Sequence, residues 1–367
     1  MADQRIERLA RVLVEYSLQV QPEQIVVLQG SPLAEPLLLA VFRRVVEAGA
    51  NPVVRVNLPG FQEILLSSGN EQQLTRLTTL DRLVPEEADA SLSILSDSNT
   101  KALSGVDPDK QRMAQTARRD LTRRYMERAA EGTLRWCLTL FPTQAYAQDA
   151  EMSLADYQDF VYGACHVDED GPVAHWQQVS REQARLIDWL AGKREARVTG
   201  PETDLRLLIE GRTFINADGA RNFPDGEIFT GPVEDSVEGM VRFSYPSIVQ
   251  GREVEDIRLW FEGGKVVRAT AAKNQDYLER MLGTDDGARR LGEFAFGTNA
   301  GIQRFTKNIL FDEKIGGTVH MAIGAGFPDT GSQNQSAIHW DMICDLRQGG
   351  EVTVDGQPFM RDGVILV

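Results

Sequence analysis

Apolar residues in the first half of the chain come in short unbroken runs separated by stretches of helical spacing. Gln24-Ile-Val-Val-Leu-Gln29 reads as a buried strand, residues 37–47 as an amphipathic helix ended by Gly49, and Asn51-Pro-Val-Val-Arg-Val56 as a second strand. Strand, helix, strand in that order predicts a right-handed βαβ crossover. Residues 90–95 and 134–141 give a third and fourth strand, with a helical stretch over 109–130 between them. Residues 180–196 carry amphipathic helical spacing, and 197–204 read as a linker. Beyond it the pattern changes to short strands at 205–209, 228–230, 257–261 and 265–272 with glycine-rich turns. The expected fold class is an α/β N-terminal domain with βαβ units, residues 1–198, followed by a strand-rich α+β domain, residues 199–367.

Composition narrows the partners. A net charge of -15 argues against nucleic acid, whose binding rests on phosphate neutralisation by Lys and Arg, and against anionic membrane. The polar start Met-Ala-Asp-Gln-Arg-Ile-Glu-Arg has no apolar segment behind it, so no signal peptide is expected. No run approaches the roughly 18 apolar residues that a membrane span needs. Cys137, Cys165 and Cys344 are odd in number and far apart, which suits reduced thiols packed in a cytoplasmic protein. The helix over 109–130 carries Lys110, Arg112, Arg118, Arg119, Arg123, Arg124 and Arg128. It reads as a solvated face making local ion pairs, with contact to an acidic surface of a partner subunit or the other domain as the alternative. The first βα turn, Gln29-Gly30-Ser31-Pro32, has neither a dinucleotide fingerprint nor a Walker lysine.

The chemistry concentrates near the C-terminus. Only four histidines occur, and two of them, His320 and His339, lie within one strand-like region. His339 and Asp341 are two apart, so on a strand both project from one face. In Thr318-Val-His320-Met-Ala-Ile-Gly324, His320 alternates with Val319 and Met321 and so points away from the bulky apolar side. Glu293 shares a face with Ala295 and Gly297, opposite Phe294 and Phe296, and Glu227 enters a strand straight after a turn. Imidazole and carboxylate converging in this way is ligand chemistry for divalent transition metals, and three carboxylates with two imidazoles suit a pair of ions a few ångströms apart. His166 and His175, beside Asp168, Glu169 and Asp170, are a weaker second candidate, nine residues apart in a polar loop. No H-E-x-x-H occurs, so the zincin design is excluded.

Four ordered motifs then give a resemblance. Asn222-Phe-Pro-Asp-Gly-Glu-Ile-Phe-Thr-Gly-Pro232, Gly292-Glu293, Phe311-Asp-Glu-Lys-Ile-Gly-Gly-Thr-Val-His-Met-Ala-Ile-Gly324 and Asn334-Gln-Ser-Ala-Ile-His-Trp-Asp341 resemble the aminopeptidase T and aminopeptidase S family of thermophilic-type metallo-aminopeptidases. The resemblance implies hydrolysis of N-terminal residues from peptides at a dinuclear centre of Zn, Co or Mn. Carried over by motif, Glu227, Glu293, His320, His339 and Asp341 would be the metal ligands, with Glu227 or Glu293 as bridging candidates. It also implies a homodimer, and an N-terminal domain that helps enclose the active-site cavity. The general base is not identified; Asp225, Glu234 and Glu238 lie near a ligand in sequence. Seven residues after the metal histidine the family usually carries Tyr, and this chain has Phe327. That hydroxyl would otherwise ligate a metal or donate to a tetrahedral oxyanion. The alternative functions are a non-catalytic peptide-binding descendant and another metal-dependent amidohydrolase.

Overall fold

The computed structural model describes residues 3–249 and 252–367. They fall into two compact units: the first runs to His175 and takes back Gly219–Pro224, and the second holds Trp176–Asp218 and Asp225–Val367. The division lies inside the helix Pro172–Leu190, upstream of the 198/199 boundary read from the sequence.

The first unit is built on a five-stranded parallel sheet. Its strands run in the order Asn51–Val56, Ile25–Gly30, Ala90–Leu95, Arg135–Leu140, Asn222–Phe223. Val26, Val27, Leu28 and Leu92 are all buried although neighbours on a strand face opposite sides, the signature of a parallel sheet covered on both faces. The helix Glu35–Glu47 buries Leu37, Leu38, Val41 and Val45 at helical spacing, and Gly49 at φ +78° turns the chain into the next strand. This is the expected βαβ unit. The basic stretch is two helices, Pro108–Ala117 and Arg119–Ala130, and its charges are mostly met locally. Arg112 pairs with Asp109, Arg123 with Asp120, and Lys110 donates to the Ser67 carbonyl. Arg128 is buried and donates to the carbonyls of Val84 and Thr133.

The second unit is strand-rich and antiparallel, as the sequence pattern predicts. One sheet has eight strands and a second has five, running His339–Asp345, Thr318–Gly324, Leu291–Gly297, Glu227–Thr230, Ile215–Ala217. They share a core that includes Leu205, Val241, Leu259, Phe294, Phe296, Met321 and Trp340. Two sequence readings are corrected. The helix spans Pro172–Leu190 rather than 180–196. The expected linker is a hairpin, Glu195–Gly200 against Thr203–Leu208. Ala196, Val198, Leu205 and Leu207 face the core, while Arg197 and Asp204 pair across the outer face at 2.8 Å. Gly200-Pro201, read as part of a linker, ends the first strand of this hairpin and enters its turn, Pro201-Glu202. No helix among the described residues is long and apolar enough to cross a membrane.

Candidate metal centre

The five-stranded sheet sorts its side chains by the pleat. Ile228, Phe294, Phe296, Val319, Met321, Trp340 and Met342 are buried in the core on one face. Their neighbours Glu227, Glu293, His320, His339 and Asp341 therefore share the other. Register sets their positions: Glu227 stands beside Gly297, His320 beside Ala295, and Glu293 beside Ala322, which in turn pairs with Asp341. Small residues at 295, 297 and 322 leave the middle of this face open, so long polar side chains from flanking strands lean inward. Two glycines make the layout possible. Gly226, just before Glu227, has φ +119°, and a Cβ there would lie 2.8 Å from that of Asn299. Gly324 pairs with His339 at φ +101°, where a Cβ would lie 2.1 Å from the Ile338 carbonyl oxygen.

The five predicted residues meet. Nε2 of His320 lies 3.2 Å from Oε2 of Glu227 and 3.5 Å from Oε1 of Glu293. Nε2 of His339 lies 3.1 Å from Oε2 of Glu293 and 3.4 Å from Oδ1 of Asp341. Glu293 thus spans the two imidazoles with its two oxygens. The carbonyl of Ala325 lies 2.7 Å from Nδ1 of His339 and can only accept, so Nδ1 donates to it, and Nε2 is the nitrogen turned to the carboxylates, to which it donates while the ring is protonated. Ser247 accepts from the Trp340 indole at 2.6 Å and donates to the Asp341 carbonyl at 2.8 Å, which fixes that end of the strand.

Sequence reasoning missed two residues. Glu313, with His320 and Asp341, offers a third set of ligand atoms lying within 4.8 Å of one another. Lys314 is wholly buried, with Nζ 3.1 Å from Glu227, 3.8 Å from Asp225 and in contact with Glu313. Their signal was an adjacent Glu-Lys pair at a short helix end inside the motif that also holds His320; nothing in the spacing said that they turn inward. Of the candidate bases, Asp225 is buried at this Lys314 cluster. Glu234 is spent on Arg212 and the Gln333 amide, and Glu238 accepts from the Gly263 amide in the other sheet. His166 and His175 stack face to face with ring centroids 3.7 Å apart, an arrangement that does not aim their nitrogens at one point.

Burial and charge are in conflict here, and protons resolve it in the metal-free protein. Burial pushes the Glu227 carboxyl above its usual range, against the pull of Lys314 and His320. For Glu293 burial acts the same way, but hydrogen bonds from His320 and His339 outweigh it and keep the carboxyl ionised. Burial opposes the imidazolium of His320, yet Glu227 and Glu293 push it up to about 9. His339 goes up to about 11, where Asp341 and Glu293 overcome burial. Oε2 of Glu227 and Oδ1 of Asp341 are buried and, among the described residues, have no properly directed hydrogen bond. Carboxylate oxygens with imidazole nitrogens facing them are a donor set that fits divalent cations.

Comparison with known proteins agrees with this chemistry. The family profile of the thermophilic metalloproteases, M29, matches residues 2–364. The chain is 30% identical to aminopeptidase T of Thermus aquaticus over 76% of its own length and 74% of that protein. It is 27% identical to aminopeptidase 2 of Geobacillus stearothermophilus, over 98% and 97% respectively. The structure of wild-type AmpT from Thermus thermophilus superposes with a TM-score of 0.86 at 26% identity, covering 99% of both chains. The chain belongs to the M29 family of thermophilic metalloproteases and is a metallo-aminopeptidase.

Proposed function

We propose that the protein releases N-terminal residues from peptides at a centre of two divalent cations held by Glu227, Glu293, His320, His339 and Asp341. The observation that carries this reading is a charge count. Glu227, Glu293, Glu313, Asp341 and Asp225 gather here, and the one lysine among the described residues of the cluster is Lys314, beside Glu227, Glu313 and Asp225. With neutral imidazoles that leaves four unbalanced negative charges, the charge of two divalent ions. Bound there, such ions supply a water of lowered pKa and an electrophile for the scissile carbonyl. Zn, Co and Mn all suit a mixed carboxylate and imidazole set.

The residues divide the remaining work. Glu293, whose two oxygens already face different imidazoles, would hold the ions together with Glu227, His320, His339 and Asp341. Glu313 is the acid–base group: it takes a proton from the attacking water and returns it to the leaving amine nitrogen. Its placement beside His320 and Asp341 supports that role, and burial raises its carboxyl pKa towards the range where proton transfer is useful. The peptide's α-amine is drawn to the carboxylates of the site. We also read the protein as a homodimer, on family resemblance, and as cytoplasmic. Its three cysteines are buried, and burial pushes the Cys344 thiol up to about 12, which suits thiols in a reducing compartment.

Metal titration of the stripped protein, with hydrolysis of leucyl-p-nitroanilide and its N-acetyl derivative, tests the reading. Two ions per chain and cleavage of the free-amine substrate alone are expected. Glu313→Gln should keep both ions and lose turnover. One ion per chain, or cleavage of the acetylated substrate, contradicts the reading. Light scattering at micromolar concentration tests the dimer.

A further inference from the structure

We infer that Phe327 and Phe229 form an apolar shelf that receives the side chain of the substrate's N-terminal residue and favours large apolar residues such as Leu and Phe. The inference rests on the aminopeptidase reading and adds to it a substrate class.

Exposure shows which way the centre opens. The side chains of His320, Glu293 and Glu227 are 1%, 5% and 7% exposed, whereas those of Asp341 and His339 reach 16% and 28%. A peptide end therefore approaches on the His339 side. On that side stands Phe327, which is 42% exposed. Its ring meets that of His339 edge-on, at 66° with centroids 5.0 Å apart. Its other neighbour is Phe229, at 5.3 Å and 60°. Phe229 lies two residues after Glu227 on one strand, so both project from the same face. The two rings thus continue the ligand-bearing face outward as an apolar surface.

The shelf is held in place. Oγ1 and the amide of Thr330 both donate to the Phe327 carbonyl, at 2.6 and 3.0 Å. The Ala325 amide donates to the Ile338 carbonyl at 2.7 Å, and the Ala325 carbonyl accepts from His339. The same loop therefore fixes the ring and orients the imidazole. Glu234, which accepts from the Gln333 amide of this loop, is paired with Arg212. An exposed phenylalanine is unremarkable alone. One fixed against an imidazole at the open side of a polar centre, and backed by a second aromatic ring, is a surface on which apolar side chains leave water.

The test compares kcat/KM of the metal-loaded enzyme and of Phe327→Ala and Phe327→Leu on Leu-, Phe-, Ala-, Lys- and Glu-p-nitroanilides. Inhibition by free leucine and free alanine serves as a binding readout. Wild type should favour Leu and Phe over Ala by at least about 10-fold. In Phe327→Ala that ratio should fall to within about 3-fold and leucine should lose its advantage over alanine as an inhibitor. Phe327→Leu, which keeps an apolar surface, should retain most of the preference and guards against a misfolded Ala variant. An unchanged Leu/Ala ratio in Phe327→Ala overturns the shelf while leaving the aminopeptidase reading intact. Fastest cleavage of the Lys substrate also overturns it, since exposed Asp329 would then govern selection. No cleavage of any free-amine substrate overturns both.

Discussion

Nζ of Lys314 lies 3.1 Å from Oε1 of Glu227, and the lysine side chain is wholly withdrawn from solvent. A buried ammonium is costly unless paired, and here Glu227 and Glu313 hold it charged against the pull of burial. Lys314→Met should destabilise the metal-free protein by about 3–5 kcal/mol, because buried carboxylates lose their counter-charge. Bound cations replace part of that charge, so metal should recover part of the loss. Thermal unfolding with and without metal measures both. An equal loss in the two states would show that Lys314 acts by packing alone.

His339 is the most accessible of the five proposed ligands, so its removal should spare the fold and remove function. His339→Ala should reduce metal content from two ions to one, with turnover down by at least about 100-fold. Glu293→Gln should do more, since both imidazoles face that one carboxylate. Elemental analysis after gel filtration reads the stoichiometry. Full occupancy in both variants would remove them from the ligand set.

What the sequence revealed followed from periodicity. Alternation around His320 and the i, i+2 spacing of His339 and Asp341 assigned faces correctly, because the opposite face is a continuous row of large apolar side chains. The four strands of the parallel sheet that come first in the chain were legible as short, mostly apolar runs. The hairpin of Glu195–Gly200 and Thr203–Leu208 was hidden because Gly200-Pro201 looks alike in a linker and in a tight turn. Glu313 and Lys314 were hidden for another reason. A charged pair at a helix end reads as solvated, and only the tertiary arrangement turns it onto Asp225 and Glu227.

Proton release is the next expectation. His320, raised to about 9, and His339, raised to about 11, are both charged at pH 7 in the metal-free protein. A raised pKa means a proton held more firmly, so metal must displace it. Affinity should therefore be weakest at low pH and climb as pH rises through neutrality. Binding at pH 7 should release roughly two protons, apart from any lost by Glu227. Calorimetry in buffers of different ionisation enthalpy counts them. A binding heat that does not depend on the buffer would show that the imidazoles are already neutral.

The motif resemblance implies a Tyr where this chain has Phe327, whose ring lies against His339. Phe327→Tyr keeps the ring contacts with His339 and Phe229 and adds one hydroxyl on the open side of the centre. A donor aimed at the developing oxyanion acts on the transition state more than on the bound peptide. Such a group is typically worth about 100- to 1000-fold in turnover. The substitution should raise kcat well beyond any change in KM, with the Leu over Ala preference retained because the apolar shelf is intact. Steady-state kinetics on leucyl- and alanyl-p-nitroanilide separate the two effects. A fall in KM at constant kcat would mean that the hydroxyl contacts the ground state. Equal kcat in both proteins would mean that the centre already stabilises its oxyanion without help from this position.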